Sequence, residues 1–290
     1  MKHYNIIMLV DEKGENVLMC RRVKPPYQGL YNLVGGKVEP GEDGLHAAYR
    51  ELREETGVTA LDVMLHHLAT FTYHNGGAGL PAYDLAAYVG RLRRKIQVTG
   101  EENPLCWMPL TENFFDLNRF AGEGSIGHVT ESVRRYCPDM LIVQEPCVSI
   151  VPLCEDDLPV LAFYQQCKAE DLLPMLAESS AKSHSDRFYE QYAIRVGACI
   201  VGTASLYAHE DGTVSDGIEV YPPFCRCGFA SYALALLEEK AHEQGYNTMI
   251  AQVCTDNSAS IALHTKLGFI QGAPWVNRRG REVITFRKEL

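Results

Sequence analysis

The sequence predicts an α/β (α+β) protein with two domains, at residues 1–138 and 147–290. Short strand-like apolar runs alternate with segments whose apolar residues recur at helical spacing, which is typical of this class. The chain has 290 residues, 46% of them hydrophobic, which is enough for two cores of ordinary size. Pro138-Asp139 begins the predicted linker between the two domains.

The composition narrows the classes of partner. There are 27 basic and 37 acidic residues, and the net charge of −10 argues against binding to a nucleic-acid polymer. The ten cysteines lack CxxC spacing, so we expect them to be reduced in a cytoplasmic protein. The apolar run at residues 6–10 ends at Asp11-Glu12, so neither a signal peptide nor a membrane partner is expected. The sequence leaves the oligomeric state open.

The first elements are predicted as two strands that lead to a glycine loop. Residues 4–10 and 17–22 are strand-like and are separated by a turn at residues 11–14. Residues 30–34 then lead into Gly35-Gly36. Because glycine carries no side chain, the backbone at this pair is expected to lie close to a ligand or a metal.

An acidic helix follows the glycine loop. Three carboxylates occur at positions i, i+3 and i+4, so they share one helix face: Glu51, Glu54 and Glu55. Three apolar residues are spaced to bury the other side: Leu45, Ala48 and Leu52. Gly57 is placed to end the helix in a left-handed cap.

The acidic face suggests a cation site. Like charges at this spacing repel by about 0.2–0.5 kcal/mol per pair. Mg²⁺ would relieve the repulsion, because it prefers carboxylate oxygens and shares its sites with substrate phosphates. The alternative is a solvated acidic face whose salt-bridge partners are Arg50 and Arg53.

The stretch GKVEPGEDGLHAAYRELREETGV, residues 36–58, resembles the Nudix box at every motif position. The resemblance implies an α/β/α sandwich with a mixed sheet, which binds Mg²⁺ or Mn²⁺ and hydrolyses a nucleoside diphosphate linked to another moiety. The implied metal ligands are the Gly36 carbonyl and the side chains of Glu51, Glu54 and Glu55. These glutamates are also implied to help activate water, and which of them is the base stays open.

The resemblance assigns roles to further residues. Glu42 and Arg50 would pair to orient the helix. A further glutamate ligand usually comes from a later loop, where Glu101 and Glu102 are the candidates and Glu102 is our prediction. Bound metal ions would polarise phosphoryl oxygens and supply a hydroxide-like nucleophile.

Two asparagines are candidate substrate contacts. Asn32 lies near the place where the MutT-type, nucleotide-sanitising branch of the Nudix family has an asparagine that hydrogen-bonds the base. The alternative is an ordinary strand-end residue. Asn118 lies in FFDLNRFAGEGSIG, which resembles the end of bacterial sanitising Nudix proteins. The motifs of the CoA and ADP-ribose branches are missing, so we expect a nucleoside triphosphate, including oxidised forms such as 8-oxo-dGTP.

The second half contains a predicted anion site. Strands are expected at residues 148–152, 192–196, 198–207 and 217–220, with a helix opened by residues 155–158. A loop at residues 221–230 then leads into a helix that ends before Gly245. Free N–H groups and the positive end of a helix dipole favour a phosphate at such a position.

This loop and the stretch NSASIALHTKLGF, residues 257–269, together resemble the GNAT acetyltransferases over roughly residues 147–290. The resemblance implies a mixed-sheet domain that binds acetyl-CoA, with the pyrophosphate on the loop and the pantetheine arm along residues 218–220. The implied coenzyme contacts are Ile218, Val220, Arg226, Cys227, Gly228, Phe229, Ala230 and Asn257.

Two positions depart from the GNAT pattern. Cys225 stands where the loop usually begins with Arg or Gln, and Arg226 can supply the charge. His264 replaces the tyrosine that reprotonates the leaving thiolate. An imidazole can perform that step, although a packing histidine is the alternative. Glu219 is a candidate base for the acceptor amine or an ordinary solvated residue.

The sequence therefore predicts a bifunctional enzyme. Its first half would hydrolyse a nucleotide, and its second half would transfer acetyl from acetyl-CoA to an unidentified amine. The alternative is a Nudix hydrolase whose GNAT-like domain is a non-catalytic sensor of CoA or of a small molecule.

Overall fold

The structure is a computed structural model that describes residues 1–74, 81–100 and 102–290. It divides into two compact units, Met1–Pro146 and Cys147–Leu290. No helix in these described ranges is long and apolar enough to cross a bilayer. Both units mix helices with parallel and antiparallel strands, which confirms the predicted α/β (α+β) class.

The first unit is built around a mixed sheet in the order β3-β2-β1-β5-β4, and β6 also pairs with β2. Its strands are β1 Lys2–Val10, β2 Asn16–Arg21, β3 Tyr31–Leu33, β4 His66–Tyr73, β5 Tyr83–Arg91 and β6 Leu105–Pro109. Its helices are α1 Gly44–Thr56 and α2 Ser125–Tyr136, with 3₁₀ turns at Gly122–Gly124 and Pro138–Leu141. β1 and β5 run parallel along their whole length.

The two helices cover opposite faces of this sheet. Ile6, Met8 and Val10 of β1 share a buried core with apolar residues of α2. Alternation turns Ile7 and Leu9, also fully buried, toward the other face, and α1 contacts β1 and β5. The predicted α/β/α sandwich is therefore confirmed.

Local sequence explains where α1 begins and ends. The Asp43 carboxylate accepts hydrogen bonds from the N–H groups of Leu45 and His46, at 3.0 and 3.1 Å, which is an ordinary N-cap. Gly57 ends the helix with a φ of 75°, which confirms the predicted left-handed cap. One part of the prediction is wrong: Leu45 is only half-buried, because it lies in the first turn at the margin of the buried stripe.

The second unit also has a mixed sheet, in the order β13-β14-β12-β11-β10-β9-β7, with β8 beside β9. Its strands are β7 Val148–Pro152, β8 Ser183–His184, β9 Arg187–Val196, β10 Cys199–Ala208, β11 Val214–Val220, β12 Thr248–Cys254, β13 Ile270–Val276 and β14 Glu282–Glu289. Its helices are α3 Leu158–Gln165, α4 Leu173–Ser180, α5 Phe229–Glu243 and α6 Ser258–Lys266, with 3₁₀ turns at Glu155–Asp157, Ala169–Leu172 and Pro222–Phe224.

The neighbouring strands β11 and β12 are parallel but separate early. Their register runs from Val214↔Met249 to Ser215↔Ile250 and stops there. Both strands continue, β11 to Val220 and β12 to Cys254. The backbone polar groups along the separated segments must be satisfied elsewhere, so a ligand can enter between the two strands.

Candidate active sites

The first candidate site is organised by an ion pair on α1. Arg50 donates from Nε to Glu42 Oε1 and from Nη2 to Glu42 Oε2, both at 2.9 Å. Nη2 also donates to the Lys37 carbonyl at 2.9 Å. The Glu42 side chain is 2% exposed, and its hydrogen bonds raise the pKa of Arg50. The bidentate pair fastens the loop before α1 to the middle of the helix.

The glycine loop lies directly against the acidic face of α1. A Cβ atom at Gly36 would stand 2.3 Å from Glu51 Oε2, so no larger residue fits without displacing that carboxylate. The N–H of Gly35 donates to Glu55 Oε2 at 2.9 Å. The glycine pair thus lies against two of the three glutamates, and its predicted approach to a ligand or a metal stays a prediction.

The three glutamates differ in their surroundings. Glu51 Oε1 accepts from Arg50 Nη1 at 2.7 Å, and the Glu51 side chain is 15% exposed. Glu54 is 60% exposed and lies 3.3 Å from the same Nη1. Burial raises the pKa of Glu51. Burial, together with the charges of Glu51 and Glu102, raises the pKa of Glu55 to about 7, although the Gly35 hydrogen bond opposes the shift.

The predicted fourth glutamate belongs to the same acidic surface. Glu102 is exposed, and it is near enough for its charge to raise the pKa of Glu55. Glu101, the other candidate, lies outside the described residues. Arg22 acts in the opposite direction, because its charge lowers the pKa of Glu55.

The donor set fits a hard cation only in part. Across residues 1–74, 81–100 and 102–290, no three His, Cys, Asp or Glu side chains converge as a complete metal site. The Gly36 carbonyl accepts from the N–H of Asn5 at 2.8 Å, which leaves one lone pair. Glu51 and Glu55 nevertheless carry more negative charge than Arg50 balances, and Mg²⁺ commonly takes one or two carboxylates with water and phosphate oxygens. The residues fit such an ion.

The two candidate base contacts lie at one edge of this unit. Tyr31 pairs with Phe120, and the N–H of Tyr31 donates to the Arg119 carbonyl at 2.8 Å. Asn32 on β3 and Asn118 are therefore brought to neighbouring segments. Asn118 is exposed, and its N–H donates to Asp116 Oδ1 at 3.0 Å.

The second candidate site is the cleft between β11 and β12, with a volume of about 930 Å³. Within the described part of the chain its lining includes seven of the eight predicted coenzyme contacts: Ile218, Val220, Arg226, Gly228, Phe229, Ala230 and Asn257. Cys227 is outside the lining, and its thiol lies 3.6 Å from the Cys225 carbonyl. Glu219 is exposed and also lines the cleft.

The loop before α5 is shaped for an anion. Arg226 and Gly228 are both left-handed, with φ of 63° and 85°. Gly228 is the N-cap of α5, and no side chain of the described residues caps the helix there, so the first N–H groups of the helix can face a ligand. Asn257 acts differently, because its Oδ1 accepts the N–H of Ser260 at 3.0 Å and caps α6.

His264 is buried at the base of the cleft and is bonded on both ring nitrogens. Nδ1 lies 2.7 Å from the Ser260 carbonyl, and Nε2 lies 3.3 Å from Asp216 Oδ2. The side chains of His264 and Asp216 are 4% and 3% exposed. Burial lowers the pKa of His264, but the hydrogen bond and charge of Asp216 outweigh burial and raise it above the usual value. Both nitrogens face acceptors, so the geometry favours the imidazolium form.

Comparison with known proteins matches each half of the chain to a family model. The family model described as NUDIX domain matches residues 1–126, and the one described as Acetyltransferase (GNAT) family matches residues 153–269. A Mycobacterium tuberculosis protein named "Putative 8-oxo-dGTP diphosphatase 2" is 33% identical over 102 residues, which are 34% of this chain and 69% of that protein. The chain belongs to the Nudix family. Its second half is a GNAT acetyltransferase domain.

Other relatives cover smaller shares or have lower identity. The CTP pyrophosphohydrolase of Escherichia coli is 39% identical over 61 residues, 21% of this chain and 45% of that protein. A ribosomal-protein-alanine N-acetyltransferase from Brucella melitensis is 22% identical, with a TM-score of 0.43, over 49% of this chain and 99% of that chain. An N-acetyltransferase from Staphylococcus aureus is 16% identical, with a TM-score of 0.43, over 49% of this chain and 98% of that chain.

The Nudix–GNAT chain contains one site residue that the sequence does not reveal. Asp216 lines the cleft, and its Oδ1 is buried without a hydrogen-bond partner in the described chain. The predicted strand begins at residue 217, whereas β11 begins at Val214. The available signal is a single acid within the strand, and its partner His264 lies 48 positions later.

Proposed function

We propose that the Nudix unit hydrolyses a nucleoside triphosphate or a related nucleoside diphosphate derivative with Mg²⁺ or Mn²⁺ in the cytoplasm. The observation that supports this most directly is the position of Glu51 and Glu55, half-buried or deeper against the Gly35-Gly36 loop. With the Gly36 carbonyl, Glu54 and Glu102, these side chains would hold the ion. The domain boundaries proposed for the two activities are 1–138 and 147–290.

The chain's own residues would orient the reaction. A bound divalent ion polarises phosphoryl oxygens and lowers the pKa of its water. The Glu42–Arg50 pair would keep α1 in place, and Gly36, which has no side chain, would leave room for the Glu51 carboxylate. Glu55, whose pKa is raised to about 7, could hold or release a proton near neutral pH. Asn32 and Asn118 would contact the base.

We further propose that the GNAT domain transfers acetyl from acetyl-CoA to an amine. The uncapped start of α5 at Gly228 supports a pyrophosphate position, and the open edge of β11 supports a pantetheine position. His264, held as an imidazolium by Asp216 and Ser260, would return a proton to the leaving thiolate. The proposed coenzyme contacts are Ile218, Val220, Arg226, Gly228, Phe229, Ala230 and Asn257, together with the Cys227 backbone.

The hydrolase proposal is tested with a panel of nucleotides in Mg²⁺. The named relatives suggest 8-oxo-dGTP and CTP as arms of the panel, beside the canonical dNTPs and ADP-ribose. Monophosphate and pyrophosphate are separated by chromatography. We expect triphosphates to yield both products. Cleavage of ADP-ribose alone would rule out triphosphates and leave a nucleoside diphosphate derivative as the substrate, and no cleavage of any nucleotide would contradict the hydrolase.

The transferase proposal is tested by free-thiol release from acetyl-CoA with a panel of primary amines. We expect release to depend on the amine. Tight CoA binding without release for any amine would contradict catalysis and leave a CoA-binding sensor.

A further inference from the structure

A second cavity of about 840 Å³ lies on the other face of the GNAT sheet. Its lining mixes charged, polar and aromatic side chains: Arg187, His209, Glu210, Asp211, Gln252, Trp275, Asn277, Arg278 and Arg279. None of these side chains has a part in the coenzyme site except Gln252, which lines both cavities. The two cavities therefore meet at Gln252 of β12.

The alternation of side chains along β12 shows on which face of the GNAT sheet each cavity opens. Ala251 pairs with Phe286, and the Phe286 ring lies 5.6 Å from His264, so that face is covered by α6. Gln252 pairs with Thr285, whose hydroxyl accepts from Trp275 Nε1 at 3.0 Å. Successive side chains point to opposite faces. The second cavity thus opens opposite the Asp216–His264 pair, across the gap between β11 and β12.

The charges of the second cavity leave a cationic excess. Arg187 is paired with Glu210. Asp211 is ionised and accepts from both the N–H and the hydroxyl of Thr213, at 3.0 and 2.7 Å. Arg278 and Arg279 make no ion pair with any described carboxylate. Two guanidinium groups are therefore available to an anionic ligand.

The turn that presents these arginines is well ordered by its own hydrogen bonds. Asn277 Oδ1 accepts the N–H groups of Arg279 and Arg281, at 2.9 and 3.1 Å. The N–H of Asn277 donates to the Arg281 carbonyl at 2.9 Å. Trp275 is fixed beside the turn by its bond to Thr285. An aromatic face and two cations are thus held on one side of the cavity.

A hydrogen-bond acceptor lies on the other side. The half-buried His209 has no partner for Nε2 in the described chain. Burial lowers the pKa of His209, and this effect outweighs the charge of Asp211, which raises the pKa. A neutral imidazole with an unused nitrogen suits an ammonium or amine N–H.

From this arrangement we infer that the second cavity binds the acetyl acceptor, and that the acceptor is a primary amine that also carries a carboxylate or phosphate group. This inference rests on the proposed transferase activity. The anion lies against Arg278 and Arg279, and the amine points to His209 and the gap beside Gln252. The amine nitrogen forms a bond to the acetyl carbon, the C–S bond breaks, and one proton passes from nitrogen to sulfur.

Matched pairs of amines test the inference on the full chain. Thiol release from acetyl-CoA is compared for phosphoethanolamine against ethanolamine, and for phenylalanine against phenethylamine. We expect kcat/KM to be about tenfold or more higher for an anionic member. The phosphate pair and the carboxylate pair distinguish the two anions. Equal or better turnover of both neutral members would overturn the inference.

The double variant Arg278→Gln/Arg279→Gln identifies the residues. We expect it to raise KM for the preferred anionic amine about tenfold, with kcat, CoA affinity and thermal stability near wild type. Arg281→Gln changes the same turn outside the cavity lining and should alter none of these. An equal loss in Arg281→Gln, or no loss in the double variant, would contradict the site.

A binding measurement separates this inference from the transferase proposal. Phosphoethanolamine and phenylalanine are titrated calorimetrically into CoA-loaded protein. If no amine releases thiol but one of the two binds wild type and not the double variant, the anion site stands and the transferase fails. If neither binds wild type, the inference is wrong, and the transferase is then judged by thiol release with the panel of amines alone.

Discussion

The two units place buried charge in opposite ways. On α1 of the Nudix unit, Glu51 and Glu54 share a single Arg50 that is already paired with Glu42, and Glu55 lies against Gly35 on the same helix face. In the GNAT unit, Asp216 faces one histidine, and the anion position is made by the N–H groups at the start of α5. We expect the first arrangement to bind an external cation. In the second, Asp216 is paired with His264, and we expect the coenzyme to be bound largely through the backbone.

The difference indicates which substitutions should matter in each unit. Removing a carboxylate from the acidic face of α1 should lower nucleotide hydrolysis and relieve the repulsion among the remaining carboxylates. Removing Asp216 should instead cost stability, because His264 would stay buried with an unpaired N–H. Changes at the CoA loop should act through backbone conformation rather than through charge.

The largest effect is expected for Glu55→Gln on nucleotide hydrolysis. Loss of a positioned carboxylate should lower kcat by about 10²–10⁴-fold. Initial rates of pyrophosphate release with Mg²⁺ measure it. Glu131→Gln on α2 is the control, because Glu131 pairs with Arg134 and Arg135 on α2, which covers the face of the sheet opposite α1. Unchanged turnover in Glu55→Gln would contradict a role of Glu55 in nucleotide hydrolysis.

Asp216→Asn should destabilise the GNAT unit by about 3–5 kcal/mol near pH 6, as expected for a broken buried pair. The folded pKa of His264 is raised by Asp216, so this stability is present below the unfolded pKa of 6.5 and is lost as pH rises through the folded pKa. The difference between variant and wild type should therefore shrink at pH 9.

Tryptophan fluorescence can follow this unit alone. Trp107 and Trp275 are the two tryptophans, one in each unit, so urea unfolding in a Trp107→Phe background reports Trp275. Asp256→Asn, at an exposed aspartate before α6, is the matched control. A pH-independent difference would show that Asp216 acts without the charge of His264.

Glu55→Gln should stabilise the Nudix unit, whereas Asp216→Asn should destabilise the GNAT unit. The pKa of Glu55 is about 7 in the folded protein against 4.5 ordinarily, so the folded state holds the proton more tightly. Stability then falls as pH rises from about 4.5 to 7. Without Mg²⁺ the variant should be about 1–3 kcal/mol more stable than wild type at pH 8 and equal to it at pH 4. Unfolding followed by Trp107, in a Trp275→Phe background, measures this.

The smallest effect is expected for Gly228→Ala on CoA binding. An alanine is strained at the φ of 85° that Gly228 adopts. We expect the loop to shift and the affinity for CoA to fall about tenfold. Gly245→Ala is a matched control, because Gly245 follows the other end of α5 with a φ of 86° and open space around it. Both variants should lose similar stability, but only Gly228→Ala should lose CoA affinity by calorimetry. Equal affinities would argue against the loop as the pyrophosphate site.

Local features were predictable from sequence. The positions of Glu51, Glu54, Glu55 and Gly57 follow from helical spacing within one short segment, and the structure places them on α1 as expected. Strands such as β1 and β7 follow from apolar runs of ordinary length. The physical information in each case lies within about a dozen neighbouring residues.

Features that depend on distant pairing were not predictable. Asp216 meets His264 only because β11 passes under α6. The gap between β11 and β12 depends on a register that stops at Ser215. β13, which contributes Trp275 to the second cavity, has a weak strand pattern interrupted by Gly272 and Pro274. The pattern of apolar residues within one segment does not reveal how distant segments pair.

A calorimetric titration of Mg²⁺ tests the central claim most directly, which is that the surplus charge of the α1 face serves a divalent cation. Wild type, Glu55→Gln and Glu131→Gln are titrated at pH 8 with a non-hydrolysable nucleotide present. The account predicts binding to wild type and Glu131→Gln, with Kd at least about tenfold weaker in Glu55→Gln. Equal affinity in all three proteins would contradict it.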